Sequence, residues 1–328
     1  MLTVGPPRRR AGPGPDNAPH MHLIVPFAGT VSEAGRHALQ SLALPRLDKL
    51  LARLQPAQRL GSDAHSLNPP HEQALATAWG WLATPDAALP LAARQAAALG
   101  LDARQPWGLL TPVHLHVGTD QVSLTPPWTL QLDDAASHAL LDAVRPLFES
   151  EGFSLHPAGP LQWLASHPLF DGLATAGLDR VVGRNIDRWL PGHGDARLVR
   201  RLQNEVQMLL YTHPLNDARE AAGLPTVNSV WLSHCGRLPD GATTLADVQV
   251  DERLRMPALD EDWAAWCEAW RALDAGPIDA LARAGGEMQL TLCGERFAQT
   301  FVPAAQGLWQ RLAGRWQQPS ATAVLEAL

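Results

Sequence analysis

Lysine is almost missing from this chain: Lys49 is the only one in 328 residues, so nearly all the positive charge is arginine. Together with abundant Ala, Pro and Gly, that skew fits a GC-rich coding sequence better than a surface evolved to read phosphate. The net charge of −7 gives no support for nucleic-acid binding. No apolar run is long enough to span a bilayer, so a soluble, cytoplasmic protein without a membrane partner is expected. The three cysteines, Cys235, Cys267 and Cys293, are odd in number and far apart, which points to reduced thiols rather than a disulfide framework. Histidine is absent between Cys235 and the C-terminus, and that stretch therefore offers no imidazole to a metal. Residues 1–20 are rich in Pro and Gly, carry Arg8-Arg9-Arg10 and lack the apolar stretch of a signal peptide; they read as a disordered leader, with Met21 directly ahead of the first strand.

What is present alternates between strand and helix. His22 to Ala28 reads as a buried strand and Gly35 to Leu54 as a helix with an apolar stripe, followed by a Pro-rich polar loop over 56–70. Helices are expected over 71–82, 87–99 and from Asp133-Asp134 to Phe148, with a strand over Thr111 to Val117 between them. Further helices are expected at 179–190 and 197–212, then a strand near 247–254, a Trp-rich helix at 260–274 and a shorter one near 278–283. Strands at Met288–Cys293 and Arg296–Val302 and closing helices complete the chain. The fold class is α/β, a central sheet flanked by helices; 21–132 and 240–328 form the core and 133–239 an inserted, smaller α+β domain.

Residues 204–239 carry the densest information. Val206, Leu209 and Leu210 recur at helical spacing, and Pro214 biases His213 away from the helix. Asn216 and Asp217 can cap a second short helix that stops near Gly223, and Val227 to Ser233 alternates toward a strand ending at Gly236. His213, Asn216, Arg219 and Asn228 fall near the bends, where scaffolds present polar groups to ligands.

The order His213-Pro214, Asn216, Arg219, Gly223, Asn228, Trp231 resembles that of archaeal-type cofactor-independent phosphoglycerate mutases of the alkaline phosphatase-like superfamily. Over its whole length the chain also resembles the RpfE-type regulatory proteins of proteobacteria. The resemblance implies an alkaline phosphatase-like sheet, a serine nucleophile and two divalent metals. Gly61-Ser62-Asp63 resembles the nucleophile segment, making Ser62 the candidate catalytic residue, and residues 43–54 resemble the helix after the family's first strand. His213, Asn216, Arg219 and Asn228 become candidate substrate-binding residues.

The metal ligands depart from that pattern. The family has Pro-Asp-Gly after the first strand; here Pro26-Phe27-Ala28 stands, and phenylalanine cannot coordinate a cation. Asp260-Glu261-Asp262 runs into Trp263 with no histidine, and Leu292-Cys293-Gly294-Glu295 lacks the Asp-His of the late strand. The expectation is a phosphoglycerate mutase-like protein with an eroded two-metal site, no metal and no cofactor, acting as a regulatory or metabolite-binding protein for a small phosphorylated or carboxylated compound or a protein partner. One alternative is an active mutase or phosphotransferase using Ser62 and a relocated metal site from His65, His71, His114 and His116 with Asp63 or Asp120. Another is a protein-interaction scaffold. Arg180, Arg184 and Arg188 repeat every four residues, which reads as a solvated helix face, and Trp263, Trp266 and Trp270 read as a buried stripe.

Overall fold

The computed structural model describes residues 21–190, 196–239, 248–284, 288–304 and 320–328, so the proposed leader over 1–20 lies outside the described residues. The first sheet contains β1 (Met21–Val25), β2 (Leu54–Gly61), β9 (Val248–Val250), β10 (Met288–Cys293) and β11 (Phe297–Pro303), in the order β2-β11-β10-β1-β9. β1 runs parallel to both β10 and β9, while β11 is antiparallel to β10 and to β2. Two antiparallel steps return β2 to the direction of β10. The carboxyl ends of β1, β2, β9 and β10 therefore share one edge of the sheet. This is a mixed α/β fold with a central mixed sheet flanked by helices.

Strand alternation divides the packing of this sheet. Leu23, Val25, Leu290, Leu292 and Phe301 face a core shared with Leu39, Leu47, Leu50, Trp266, Trp270 and Leu325. These belong to the helices Glu33–Gln40, Pro45–Leu51, Trp263–Leu273 and Ala321–Glu326. On the opposite face Ile24, Cys293 and Ala298 meet Ala74 of the Pro70–Ala78 helix. The Trp stripe is core: Trp266 and Trp270 are fully buried, and Trp263, Trp266 and Trp270 follow one another edge to face at 5.9 and 6.1 Å. Cys235, Cys267 and Cys293 are all free and buried.

A second, antiparallel sheet has the order β6-β7-β3-β8, from β3 (Trp107–Val113), β6 (Ser154–Gly159), β7 (Gln162–Ser166) and β8 (Ser229–Gly236). Its β3 comes from the 21–132 span and its other strands from 133–239, so sheet membership does not change at residue 133. The helices Asp134–Glu149 and Ala196–Tyr211 pack Leu140, Val144, Leu202 and Val206 against Leu110, Trp163 and Leu232.

Four local expectations differ from the fold. Pro45 begins its own helix, so 35–54 is two helices rather than one. The polar stretch from 56 belongs to β2, an edge strand whose exposed side chains hide its pairing with β11. The 111–117 strand breaks at His114, because Asn228 bonds both main-chain groups of Leu115 and holds β4 (Leu115–Val117) against β5 (Val122–Leu124) instead. Over 179–190 there is no continuous helix: Leu178–Val181 is one turn, Val182 and Asn185 bridge to β5, and a 3-10 turn follows at Ile186–Trp189.

Candidate functional site

The 204–239 unit folds as helix, Pro-initiated helix and strand: Ala196–Tyr211, Pro214–Ala221, then β8. Pro214 at the first helical position starts the second helix earlier than Asn216, so His213 is the cap, its Nδ1 accepting from Leu215 N at 3.2 Å. Asn216 is buried instead. Its Nδ2 donates to Leu210 O and Val227 O, both at 2.8 Å, and its Oδ1 accepts from Val227 N at 2.9 Å. Arg219 Nε donates to Pro225 O at 2.8 Å and its Nη2 to Leu130 O, while Asn228 accepts from Leu115 N at 2.7 Å and donates to Leu115 O at 2.9 Å. Burial lowers the Arg219 pKa, with no carboxylate beside it to oppose that. All four side chains are engaged with main chain.

A cleft of about 660 Å³ opens elsewhere, beyond the carboxyl ends of β1 and β10. Ligands of open α/β sheets characteristically bind at this edge. Its walls include Phe27, Thr30, His71, Asp179, Arg184 and Glu295, and none of His213, Asn216, Arg219 or Asn228. Phe27 holds φ +56°, a left-handed backbone costing roughly 1–2 kcal/mol in a non-glycine residue. The turn is kept by Ala28 N donating to Cys293 O at 2.7 Å and by Trp266 Nε1 donating to Phe27 O at 2.9 Å. The Phe27 ring lies 5.3 Å from that of His71.

The charges around the cleft are mostly paired. Asp179 is buried, with Arg255 Nε at 2.8 Å, Arg255 Nη2 at 2.5 Å and His71 Nε2 at 3.3 Å. Burial alone would raise its pKa, but His71 and Arg255 outweigh it and hold the carboxyl well below the usual range. Arg184 Nη2 meets Glu295 Oε2 at 2.7 Å, and its Nη1 donates to Ala64 O at 3.2 Å. Arg180 is 3% exposed; it donates to Glu295 O at 2.5 Å, Ser66 Oγ at 2.8 Å and Asn68 O at 3.2 Å, while its Nε is left without a partner. Burial, and then the Arg184 charge, lower its pKa to about 10. Nearby, His234 Nε2 lies 3.0 Å from Glu72 Oε1, within ion-pair reach.

The two-metal centre implied by the resemblance does not fit these residues. Phe27 offers no side-chain ligand atom, Asp179 is engaged by Arg255 and His71, and Glu295 is held by Arg184. The relocated set does not assemble either. His65 is exposed, His71 faces Asp179, His114 Nδ1 contacts Thr226 O at 2.9 Å, and His116 and Asp120 are exposed. Among the described residues no group of three His, Cys, Asp or Glu is placed to hold a metal ion. Asp63 is occupied locally, its Oδ1 accepting from His65 N at 2.6 Å. Ser62 is exposed just beyond β2, outside the cleft walls but two residues from Ala64, which Arg184 contacts.

The four-residue spacing of Arg180 and Arg184 predicts a solvated helix face, and no sequence signal marks Glu295 as a functional residue. The signal against a helix was Val181-Val182-Gly183: Gly183 takes φ +73° and its N–H bonds Leu124 O at 2.8 Å. No protein-family model and no curated protein sequence matches the chain. Among solved structures it is similar to the PH0037 protein from Pyrococcus horikoshii, with TM-score 0.44, 11% identity and 88% of each chain covered. It is also similar to a cofactor-independent phosphoglycerate mutase from Thermoplasma acidophilum DSM 1728, with TM-score 0.37, 11% identity, and 88% of this chain and 90% of that one covered. Both similarities are distant.

Proposed function

We propose that this chain is a phosphoglycerate mutase-like protein of RpfE type that regulates rather than turns over, binding a small phosphorylated or carboxylated metabolite in the cleft beyond β1 and β10. The observation that carries this reading is the replacement of ligand chemistry by arginine chemistry at one edge of the sheet. Phe27 stands where the resemblance calls for a metal-binding aspartate, while Arg184 faces the same cleft. Guanidinium suits carboxylate and phosphate through paired N–H donors, without a cation as intermediary. The volume of about 660 Å³ matches a small metabolite.

Thermal-shift titration of wild type and Arg184→Ala with 3-phosphoglycerate, 2-phosphoglycerate and inorganic phosphate tests the reading. A ligand that prefers the folded state raises the melting temperature, by a free energy of about 2.7 kcal/mol at a hundredfold excess over Kd. Wild type is expected to shift and Arg184→Ala not to. Absence of a shift for every anion sinks the proposal.

A second reading, a working phosphotransferase, is supported by the proximity of the Ser62 loop to Arg184 through Ala64. Its test is interconversion of 3- and 2-phosphoglycerate with added manganese. Activity that disappears in Ser62→Ala would establish it in place of the regulatory reading.

A further inference from the structure

The anion seat in this cleft already holds an anion, and it belongs to the chain. Glu295 Oε2 receives Arg184 Nη2 at 2.7 Å; its Oε1 receives Val31 N at 3.1 Å and Thr30 Oγ1 at 3.4 Å. A guanidinium, a main-chain N–H and a hydroxyl converging on one carboxylate form the donor set that proteins use for external carboxylates and phosphates. We infer that Glu295 is a tethered competitor for this seat, and that a phosphate monoester binds by displacing it from Arg184, Val31 and Thr30.

Three observations support displacement. Glu295 sits in the turn between β10 and β11, and its side chain is 19% exposed, so the carboxylate can swing toward solvent without unpacking a core. Arg184 is 34% exposed and is independently braced by Ala64 O, so it keeps its place once Glu295 leaves. The hydrogen bonding of the two arginines is also uneven. Arg180 lies behind the seat, and its hydrogen bonds go to carbonyls and a hydroxyl rather than to a carboxylate. Glu72, Glu295 and Asp63 attract it by Coulomb forces, and Glu72 also faces His234. Asp179 is matched by Arg255 and His71. Among the described residues, Glu295 is thus the carboxylate that hydrogen-bonds either guanidinium, while Asp260 and Glu261 line the same cleft.

That pairing selects the ligand class. A monocarboxylate replaces Glu295 charge for charge, against a tethered rival whose effective concentration is on the order of millimolar or above. A phosphate monoester brings a charge of about −1.5 to −2 and three acceptor oxygens, which Arg184, Val31 N and Thr30 Oγ1 can match, with the Arg180 charge close by. The inference rests on the cleft being the ligand site.

The test titrates inorganic phosphate, 3-phosphoglycerate and acetate against wild type, Glu295→Gln and Arg184→Ala at fixed ionic strength, reading calorimetric affinity and melting temperature. Removing the competitor is expected to tighten phosphate and 3-phosphoglycerate by about tenfold, within the usual range of coupling between two ligands of one site. Acetate stays weaker than phosphate throughout, and Arg184→Ala loses binding. A Glu295→Gln protein with wild-type circular dichroism that binds phosphate no tighter than wild type overturns displacement. Acetate binding as well as phosphate overturns the choice of ligand class. If Glu295→Gln does not fold, Glu295→Asp, one methylene shorter with its charge kept, serves instead and must also tighten. Wild type binding through Arg184 with no tightening in either variant removes displacement alone. No anion binding by any protein removes the cleft reading itself.

Discussion

Asn216 and Val227 are joined by a two-way amide clasp: Asn216 Oδ1 accepts from Val227 N at 2.9 Å while its Nδ2 donates to Val227 O at 2.8 Å. The side chain thus copies a strand partner and fastens the end of the loop ahead of β8 to the helix before it. Asn216→Ala strips three hydrogen bonds and leaves buried main-chain groups unpaired, which costs about 2–4 kcal/mol in urea denaturation. Phosphate affinity in the same variant is expected to match wild type. A weakened ligand with unchanged stability would return Asn216 to the binding site.

The same clasp shows what was legible in the sequence. Pro214 and the apolar spacing of Val206, Leu209 and Leu210 are local signals, and they place two helices and a strand without knowledge of the rest. The role of Asn216 is not local, since its donors reach Leu210 and Val227 across a turn. β2 escaped notice because an edge strand with Gln55, Gln58 and Arg59 exposed has no apolar alternation to read. Arg180 and Arg184 were misplaced because a spacing of four looks helical until β5 captures the backbone from Val182 to Asn185. The cleft needed the fold: Phe27, Arg184 and Glu295 are far apart in sequence; the parallel pairing of β1 and β10 brings the first and last to one edge, and the segment bridged to β5 carries Arg184 to them.

Asp179 sets the acid limit of this edge. Its folded pKa is held below the ordinary value of 3.8, so its contribution is complete above that pH and drains away as pH falls toward the folded value. Asp179→Asn leaves Arg255 buried without its counter-charge and is expected to cost about 3–5 kcal/mol at pH 7. The loss of stability below pH 4 should become shallower at the same time, because a proton no longer has to be forced onto this site. Urea midpoints measured from pH 7 down to pH 2.5 check both statements. An unchanged acid slope would show that Asp179 is not the group that titrates.

His234 acts in the opposite direction. Burial opposes its charge, but Glu72, aided by Asp179, outweighs burial and raises the pKa above the ordinary 6.5. The stability from this pair is therefore fully present below pH 6.5 and is lost as pH rises through the folded value. His234→Gln should be destabilised at pH 6 and differ less from wild type at pH 9. Equal differences at the two pH values would assign His234 a packing role only.

Gly177 fixes the Glu72 half of that pair. A Cβ on Gly177 would stand 2.7 and 2.8 Å from the two carboxylate oxygens of Glu72 and 2.9 Å from Pro69 Cδ, closer than real contacts allow. Glu72 is buried, with Oε2 already lacking a hydrogen-bond partner, so it has little room to retreat. Gly177→Ala should accordingly cost about 1–3 kcal/mol, the usual penalty for overpacking a tight site. Displacing the carboxylate also removes what raises the His234 pKa, so the variant should lose less stability than wild type between pH 6 and pH 9. The two effects separate crowding from charge. Gly177→Ala combined with Glu72→Ala, which removes the crowded atoms, should restore part of the packing loss only if the clash is with the carboxylate's position. It should leave the alkaline slope flat either way, because the anion that raised His234 is gone.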